Sequence, residues 1–212
     1  FGLASCTTEV TKDPVNDDGT KSASKEEVTE VPRKIDLLND FEPLTENGHV
    51  NAVIEIPAGT MDKWELNKKT GEVEWEKVDG VPREVNYIGY PGNYGMIPGT
   101  LLSKENGGDG DPLDVLVLGP PANRGEVIPC KLIGVLYLSD RGEQDDKLIA
   151  IAEDAPFNQV NSIAELDSAY AGITSIIQTW FTSYKGPDKI TSAGFGNEMS
   201  AREILTTAIE EF

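Results

Sequence analysis

"EVIPCKLIGVLYLSDRGEQDDKLIAIAED", residues 126–154, decides how the fold is read. Two apolar runs rich in Val, Ile and Leu flank a short acidic loop, "SDRGEQDD" at 139–146. Runs of this kind, bounded by turn residues, are buried strands, and a short loop joins them as a hairpin. The same signal continues upstream. "DVLVLG" (114–119) is a short buried strand and "NAVIEIP" (51–57) another. "DKWELN" and "EVEWEKV" alternate apolar and polar residues around "KKTG" (68–71), a second hairpin pattern. "VNYIGYPGNYGMIPGTLL" (85–102) is aromatic and rich in Gly and Pro, which predicts strand and tight turn with closely packed backbone. Downstream the period changes. From Ile163, apolar residues at 166, 170, 173, 177, 180 and 184 follow one helix face. Ser162 and Glu165 form a capping box at its start, and Gly172 weakens its middle. "SARE", with Ser200 and Glu203, predicts a second capped helix running to the end of the chain. Six or more strands followed by two helices predict a β-rich α+β fold: a small closed or curled sheet with helices packed outside.

Bulk composition narrows the function. The chain has 212 residues and a net charge of −19, from 37 acidic and 18 basic residues. Nucleic-acid sites carry a basic footprint, so this charge argues against a phosphate-backbone binder. It fits a chain that holds divalent cations. No apolar run approaches the roughly 20 residues needed to span a bilayer. His49 is the only histidine, which leaves little for a His-rich metal site or a Ser-His-Asp triad. With only Cys6 and Cys130 no disulfide framework is indicated, and Cys130 in its apolar run reads as a buried thiol. The first residue is Phe rather than Met, and "LASC", Leu3 to Cys6, resembles the bacterial lipoprotein cleavage box. Residues 7–34 are polar and nearly free of large apolar groups, a tether composition. The expectation is a tether over 1–34, membrane attachment through a lipidated Cys6 in the cell envelope, and a folded domain over 35–212. The alternative is a cytoplasmic protein.

The chemistry concentrates at "GGDGDPLDVLVLG" (107–119), where Asp109, Asp111 and Asp114 crowd the lip of a buried strand. On extended backbone Asp109 and Asp111 point the same way, and Pro112 favours that extension at Asp111. Three converging carboxylates are hard-cation ligands, suited to Mg²⁺, Mn²⁺ or Ca²⁺. An EF-hand fails on spacing: the third acid falls at loop position 6, where Gly is required, and position 12 is Pro120. Taken alone, a solvated acidic turn remains the alternative. The second acidic loop adds Asp140 and Asp145, and its hairpin is expected to bring Asp140 and Lys147 together across its end. Five carboxylates exceed what one Mg²⁺ needs, so two or more metals are expected. Lys63, Arg83, Lys147 and Lys185 come from four separate segments, with Tyr94 and Tyr184 as hydroxyl donors. Set opposite a carboxylate–metal cluster, they would clamp a phosphate.

These residues resemble the soluble family I inorganic pyrophosphatases of bacterial type. The resemblance rests on "DGDPLD", "VIEIP" with Glu55, "KWEL" with Lys63 and Glu65, Arg83, "YPGNYG" with Tyr90 and Tyr94, "SDRGEQDDKL", and "YK" at 184–185, in order over about 50–185. It implies an OB-like five-stranded closed barrel with flanking helices, and Mg²⁺-dependent hydrolysis of pyrophosphate to two orthophosphates. It implies several Mg²⁺ ions per site, with Mn²⁺ or Zn²⁺ as substitutes, and a homo-oligomer. It assigns Asp109, Asp114, Asp140 and Asp145 as metal ligands and Glu55 as an outer ligand acting through water. Asp111 becomes the acceptor of the attacking water's proton. Lys63, Arg83, Tyr94, Lys147, Tyr184 and Lys185 become the phosphate-binding set. Ser183 stands before "YK" where bacterial members often carry His. The readings set against this one are a non-catalytic Ca²⁺-binding module, an OB-like nucleic-acid binder and a phosphatase of organic esters. The first has no need of the dispersed cations, the second is opposed by the charge, and the third needs an added pocket.

Overall fold

The computed structural model describes residues 33–212, and Lys34–Phe212 form one compact unit. Residues 1–32 of the expected 1–34 tether, with Cys6 among them, fall outside the described residues. Val50–Ile56 form β1, in which every residue but Asn51 is buried, as the run of apolar residues requires of a strand covered on both faces. Trp64–Asn67 (β2) and Glu72–Trp75 (β3) make the expected hairpin, held by Trp64 stacked on Trp75 at 5.4 Å between ring centres. A minor hairpin of Lys77–Val78 (β4) and Val81–Pro82 (β5) follows. Asn93–Met96 (β6), Asp114–Leu118 (β7), Val127–Asp140 (β8), Glu143–Gln144 (β9) and Lys147–Ala152 (β10) complete the strands the sequence announces.

Five of these close on themselves. The order β1-β6-β7-β10-β8 is sealed by β8 pairing back onto β1, from Val50 opposite Cys130 to Val53 opposite Val127. This is the predicted five-stranded closed barrel. Closure demands a bent β8. The strand has 14 residues and serves β1, β10 and a further strand in turn. Where it turns the corner, its register against β10 slips between Ile149 and Ala150, opposite Gly134 and Leu132. An extra residue on one strand bends it in this way. Gly134 is required there: a Cβ would stand 2.5 Å from Ile163 Cγ1 and 2.6 Å from the Gly196 carbonyl oxygen.

Three features depart from the sequence reading. The long helix is two helices, Ile163–Ala169 (α1) and Ile173–Ser183 (α2), because Gly172 adopts φ 96° and ends the first to begin the second. Ser162 caps α1 as expected, accepting from the Glu165 amide. A strand the sequence hid, Ile190–Gly196 (β11), pairs with the end of β8. The last helix, Glu198–Glu210 (α3), starts earlier than expected, capped by Asn197, whose side chain accepts from the Ser200 amide. Among the described residues three α-helices therefore flank the barrel, not two. Among the described residues, no helix is long and apolar enough to cross a membrane.

α2 matters most for the site. Trp180 is buried, donates from Nε1 to the Ile88 carbonyl at 2.9 Å, and packs on Tyr90 and Phe181. Tyr184 stacks on Trp180 at 4.7 Å. The helix end is thereby pinned, and Tyr184 and Lys185 are carried to the cavity that β1, β6 and β7 border.

Candidate active site

The loop from Leu102 to Leu113 is built by its own backbone. Gly108 and Gly110 donate to the carbonyls of Ser103 and Leu102 at 2.8 and 2.9 Å, and Leu102 donates to that of Asp111 at 3.2 Å. A Cβ at Gly108 would lie 2.1 Å from the Leu102 oxygen, so only glycine permits this closure. Glu211 holds the outer side, accepting from the amide and hydroxyl of Ser103. Asp109 Oδ1 accepts from the Asp111 amide at 2.9 Å, a side-chain turn. Gly110 between them has φ 89°. The backbone is therefore folded, not extended, and the period-2 argument for Asp109 and Asp111 fails. Both nevertheless line one cavity of about 440 Å³ together with Asp114.

Lys147 organises that cavity. Only 3% exposed, it donates to Asp114 Oδ2 and Asp145 Oδ1, both at 2.5 Å. Burial works against its charge, but the two carboxylates outweigh it and hold the ammonium pKa above its ordinary value. Lys147 does not meet Asp140 as expected. β9 lengthens the hairpin, so Asp140 faces Glu143, and Lys147 stands opposite Leu136. Asp140 instead accepts from Lys185 at 2.6 Å through Oδ2, while its Oδ1 is buried with no hydrogen-bond partner. Asp140 lies outside the main cavity and lines the depression beside it.

Glu55 reaches the cavity from near the end of β1, 5% exposed, and accepts from the Leu66 amide at 2.7 Å. Burial pushes its carboxyl up to about 8, with nearby Lys63 acting the other way. Lys63 pairs with Glu65 at 2.7 Å and lies 5.7 Å from the Tyr94 ring centre. Tyr94 and Tyr90 are buried, which raises both phenols above their ordinary pKa and keeps them neutral donors. Arg83 donates from Nη1 to both Glu76 oxygens at 2.8 and 2.7 Å and also borders the cavity. Tyr184 and Lys185 close it from the end of α2. Eleven of the twelve expected residues thus share one cavity.

Sequence reasoning missed Lys68, which donates to Asp111 Oδ1 and to the Gly110 carbonyl. Its signal was only a second basic residue in the "KKTG" turn, with nothing to link it to a loop 43 positions away. Glu65 and Tyr90, quoted for the resemblance without a role, also line the site.

The donor set fits hard divalent cations: four aspartates bordering one polar cavity, and the unpartnered Asp140 oxygen beside it. The tight convergence of three carboxylates is not seen. Among the described residues no three acidic, His or Cys side chains are grouped closely enough to hold one ion. Each aspartate instead rests on an ammonium group or an amide, which answers its charge locally. The cavity's charge balance is itself informative. Glu65, Asp109, Asp111, Asp114 and Asp145 face Lys63, Lys68, Arg83, Lys147 and Lys185, five carboxylates against five cations, while burial keeps Glu55 protonated near neutral pH. Such a balanced wall gives a polyanion little attraction, and divalent cations would make it positive.

Known proteins are similar to this chain over the span that forms the barrel and the cavity. The family model for inorganic pyrophosphatase matches residues 52–212. The inorganic pyrophosphatase of Campylobacter jejuni is 38% identical over 170 residues, 77% of this chain and 91% of that protein. That of Xylella fastidiosa is 32% identical over 183 residues, 84% and 96% of the two chains. Among solved structures, the type I inorganic pyrophosphatase of Toxoplasma gondii superposes with a TM-score of 0.78 at 29% identity, over 84% of this chain and 87% of that one. The Helicobacter pylori inorganic pyrophosphatase gives 0.69 at 31% identity, over 82% and 98%. With the family model covering residues 52–212 and relatives more than 30% identical over most of its length, the chain belongs to the inorganic pyrophosphatase family.

Proposed function

We propose that this chain hydrolyses inorganic pyrophosphate to two orthophosphates, using Mg²⁺. The observation that carries the reading is the single cavity in which Asp109, Asp111, Asp114 and Asp145 face Lys63, Arg83, Lys147 and Lys185. Pyrophosphate is a compact polyanion, so its site must answer its charge and that of its transition state. Asp109, Asp114, Asp140 and Asp145 would hold the metal ions, with Glu55 as an outer ligand through water. When bound, Mg²⁺ supplies positive charge at the phosphoanhydride and lowers the pKa of the attacking water.

The rest falls to the chain's own groups. Asp111 accepts the water's proton on a carboxylate oxygen, and Lys68 fixes that side chain through Oδ1. Lys147, already desolvated by the fold, presents its ammonium where a phosphoryl oxygen replaces a carboxylate. Lys63, Arg83 and Lys185 bind the two phosphoryl groups as cations, and Tyr94 and Tyr184 as neutral donors. Arg83 exchanges its Glu76 contact for substrate oxygen in this scheme. On the same reading, residues 1–34 tether the domain to the cell envelope through a lipidated Cys6. The "LASC" box and the polar composition after it support this.

Phosphate release with Mg²⁺ should be fast from pyrophosphate and at least about a hundredfold slower from ATP and from a simple phosphomonoester. Equal or greater release from the monoester would replace this reading with an organic phosphatase. Cys6→Ser should move the protein from the membrane to the soluble fraction of an envelope-competent host, and continued palmitate labelling of that variant would refute the anchor.

A further inference from the structure

The catalytic cavity continues outward into a second, open depression of about 360 Å³, and the two share Arg83, Tyr184 and Lys185. The far side of the depression holds Arg141 and Lys189, both exposed. Their backbones are joined, the Arg141 amide donating to the Lys189 carbonyl at 2.9 Å. Among the described residues neither side chain makes an ion pair, although the chain carries a net charge of −19. Arg83 and Lys185 are answered by Glu76 and Asp140, which leaves two cations in the depression against the single carboxylate Glu84.

Arg141 is also held where an arginine is disfavoured. It and Gly142 form the two-residue turn between the paired Asp140 and Glu143, with φ 53° and 93°. Such a turn favours Asn-Gly, because both positions lie in the left-handed region. A bulky side chain kept there, unpaired and lining the depression that adjoins the main cavity, points from backbone strain to function.

We propose that Arg141 and Lys189 form an outer phosphoryl subsite, which takes the third phosphoryl group of a linear triphosphate whose first two groups occupy the catalytic cavity. The proposal rests on the pyrophosphatase reading of that cavity. Shared Arg83 and Lys185 bridge the two sites, so an unbranched chain of phosphoanhydrides meets cations along its whole length. Guanidinium and ammonium groups suit a terminal phosphoryl group, one as a fork and the other as a point charge. On this reading a pyrophosphate ion in the catalytic cavity leaves Arg141 and Lys189 unoccupied.

The test is inhibition of pyrophosphate hydrolysis by sodium tripolyphosphate and, separately, by orthophosphate, with Mg²⁺ in fixed excess. Arg141→Asn suits the turn better than arginine, so loss of binding in it does not reflect unfolding. Each of Arg141→Asn and Lys189→Gln should raise the tripolyphosphate Ki at least about fivefold, and the pair about 20-fold. The pyrophosphate KM and the orthophosphate Ki should stay within about twofold. Unchanged tripolyphosphate inhibition overturns the proposal. So does a parallel loss for pyrophosphate, which would make these residues part of the general field. A selective rise in the orthophosphate Ki overturns it too, since the subsite would then serve free phosphate. If the wild-type protein does not hydrolyse pyrophosphate, the catalytic reading fails. Calorimetric titration of tripolyphosphate into the same variants then tests the subsite by itself, with unaltered affinity counting against it.

Discussion

Glu55→Gln should stabilise the metal-free protein, by an amount that grows with pH. The carboxyl lies 5% exposed within β1, and burial raises its pKa from the usual 4.5 to about 8. Lys63 pulls the value down and Asp114 pushes it further up. Between those two pKa values the folded state keeps a proton that the unfolded chain has lost. Stability therefore falls as pH rises from about 4.5 to about 8, and is level on either side. Each unit of difference corresponds to about 1.4 kcal/mol, so the ionised carboxylate costs about 3–5 kcal/mol at the alkaline end. Glutamine keeps the shape and can still accept from the Leu66 amide, while it cannot ionise. Urea unfolding in EDTA, run for both proteins between about pH 5 and 9, measures the difference. The two stabilities should agree within about 1 kcal/mol near pH 5 and separate steadily above it. A glutamine variant that is less stable at alkaline pH would refute the argument, because pairing with Lys63 would then outweigh the cost of burial.

On the proposed roles, with Asp114 a ligand and Asp111 the proton acceptor, Asp111→Asn and Asp114→Asn should fail differently: excess Mg²⁺ should recover part of the rate of the second but not of the first. Loss of a general base typically costs about 10²–10⁴ in rate, and the remainder for Asp111→Asn should rise with pH, so full recovery by Mg²⁺ at neutral pH would make Asp111 a ligand. Ca²⁺ as the only divalent ion should bind yet support little turnover, because its looser geometry misplaces the attacking water. Measured phosphate release with Ca²⁺ equal to that with Mg²⁺ would refute this. Removing residues 1–32 should leave the melting temperature within about 2 °C and the rate unchanged, since that segment has too few apolar groups to offset its ordering entropy. A large drop in a thermal melt would show that it packs on the domain.

What the sequence revealed and what it hid divide along one physical line. The barrel strands were legible because burial on both faces writes a continuous apolar run, as in "DVLVLG" and "KLIAIA", where a local pattern is the whole signal. β11 was hidden because "ITSAGFG" carries small residues and a left-handed Gly194 at a register slip, and its pairing partner lies about 50 residues upstream. Gly172 could be seen to weaken a helix, but whether it bends or breaks one depends on the packing of both halves. The site residues were named by motif rather than by geometry. Local reasoning about them failed wherever a partner came from elsewhere: Asp140 found Lys185 in place of Lys147, and Asp111 found Lys68. The same limit explains Arg141. In sequence it is one charge in an acidic loop. Only the folded chain sets it in a left-handed turn, bonds its amide to Lys189, and places both in the depression that shares Lys185 with the main cavity. Charge in this protein takes its meaning from which loops the barrel brings together.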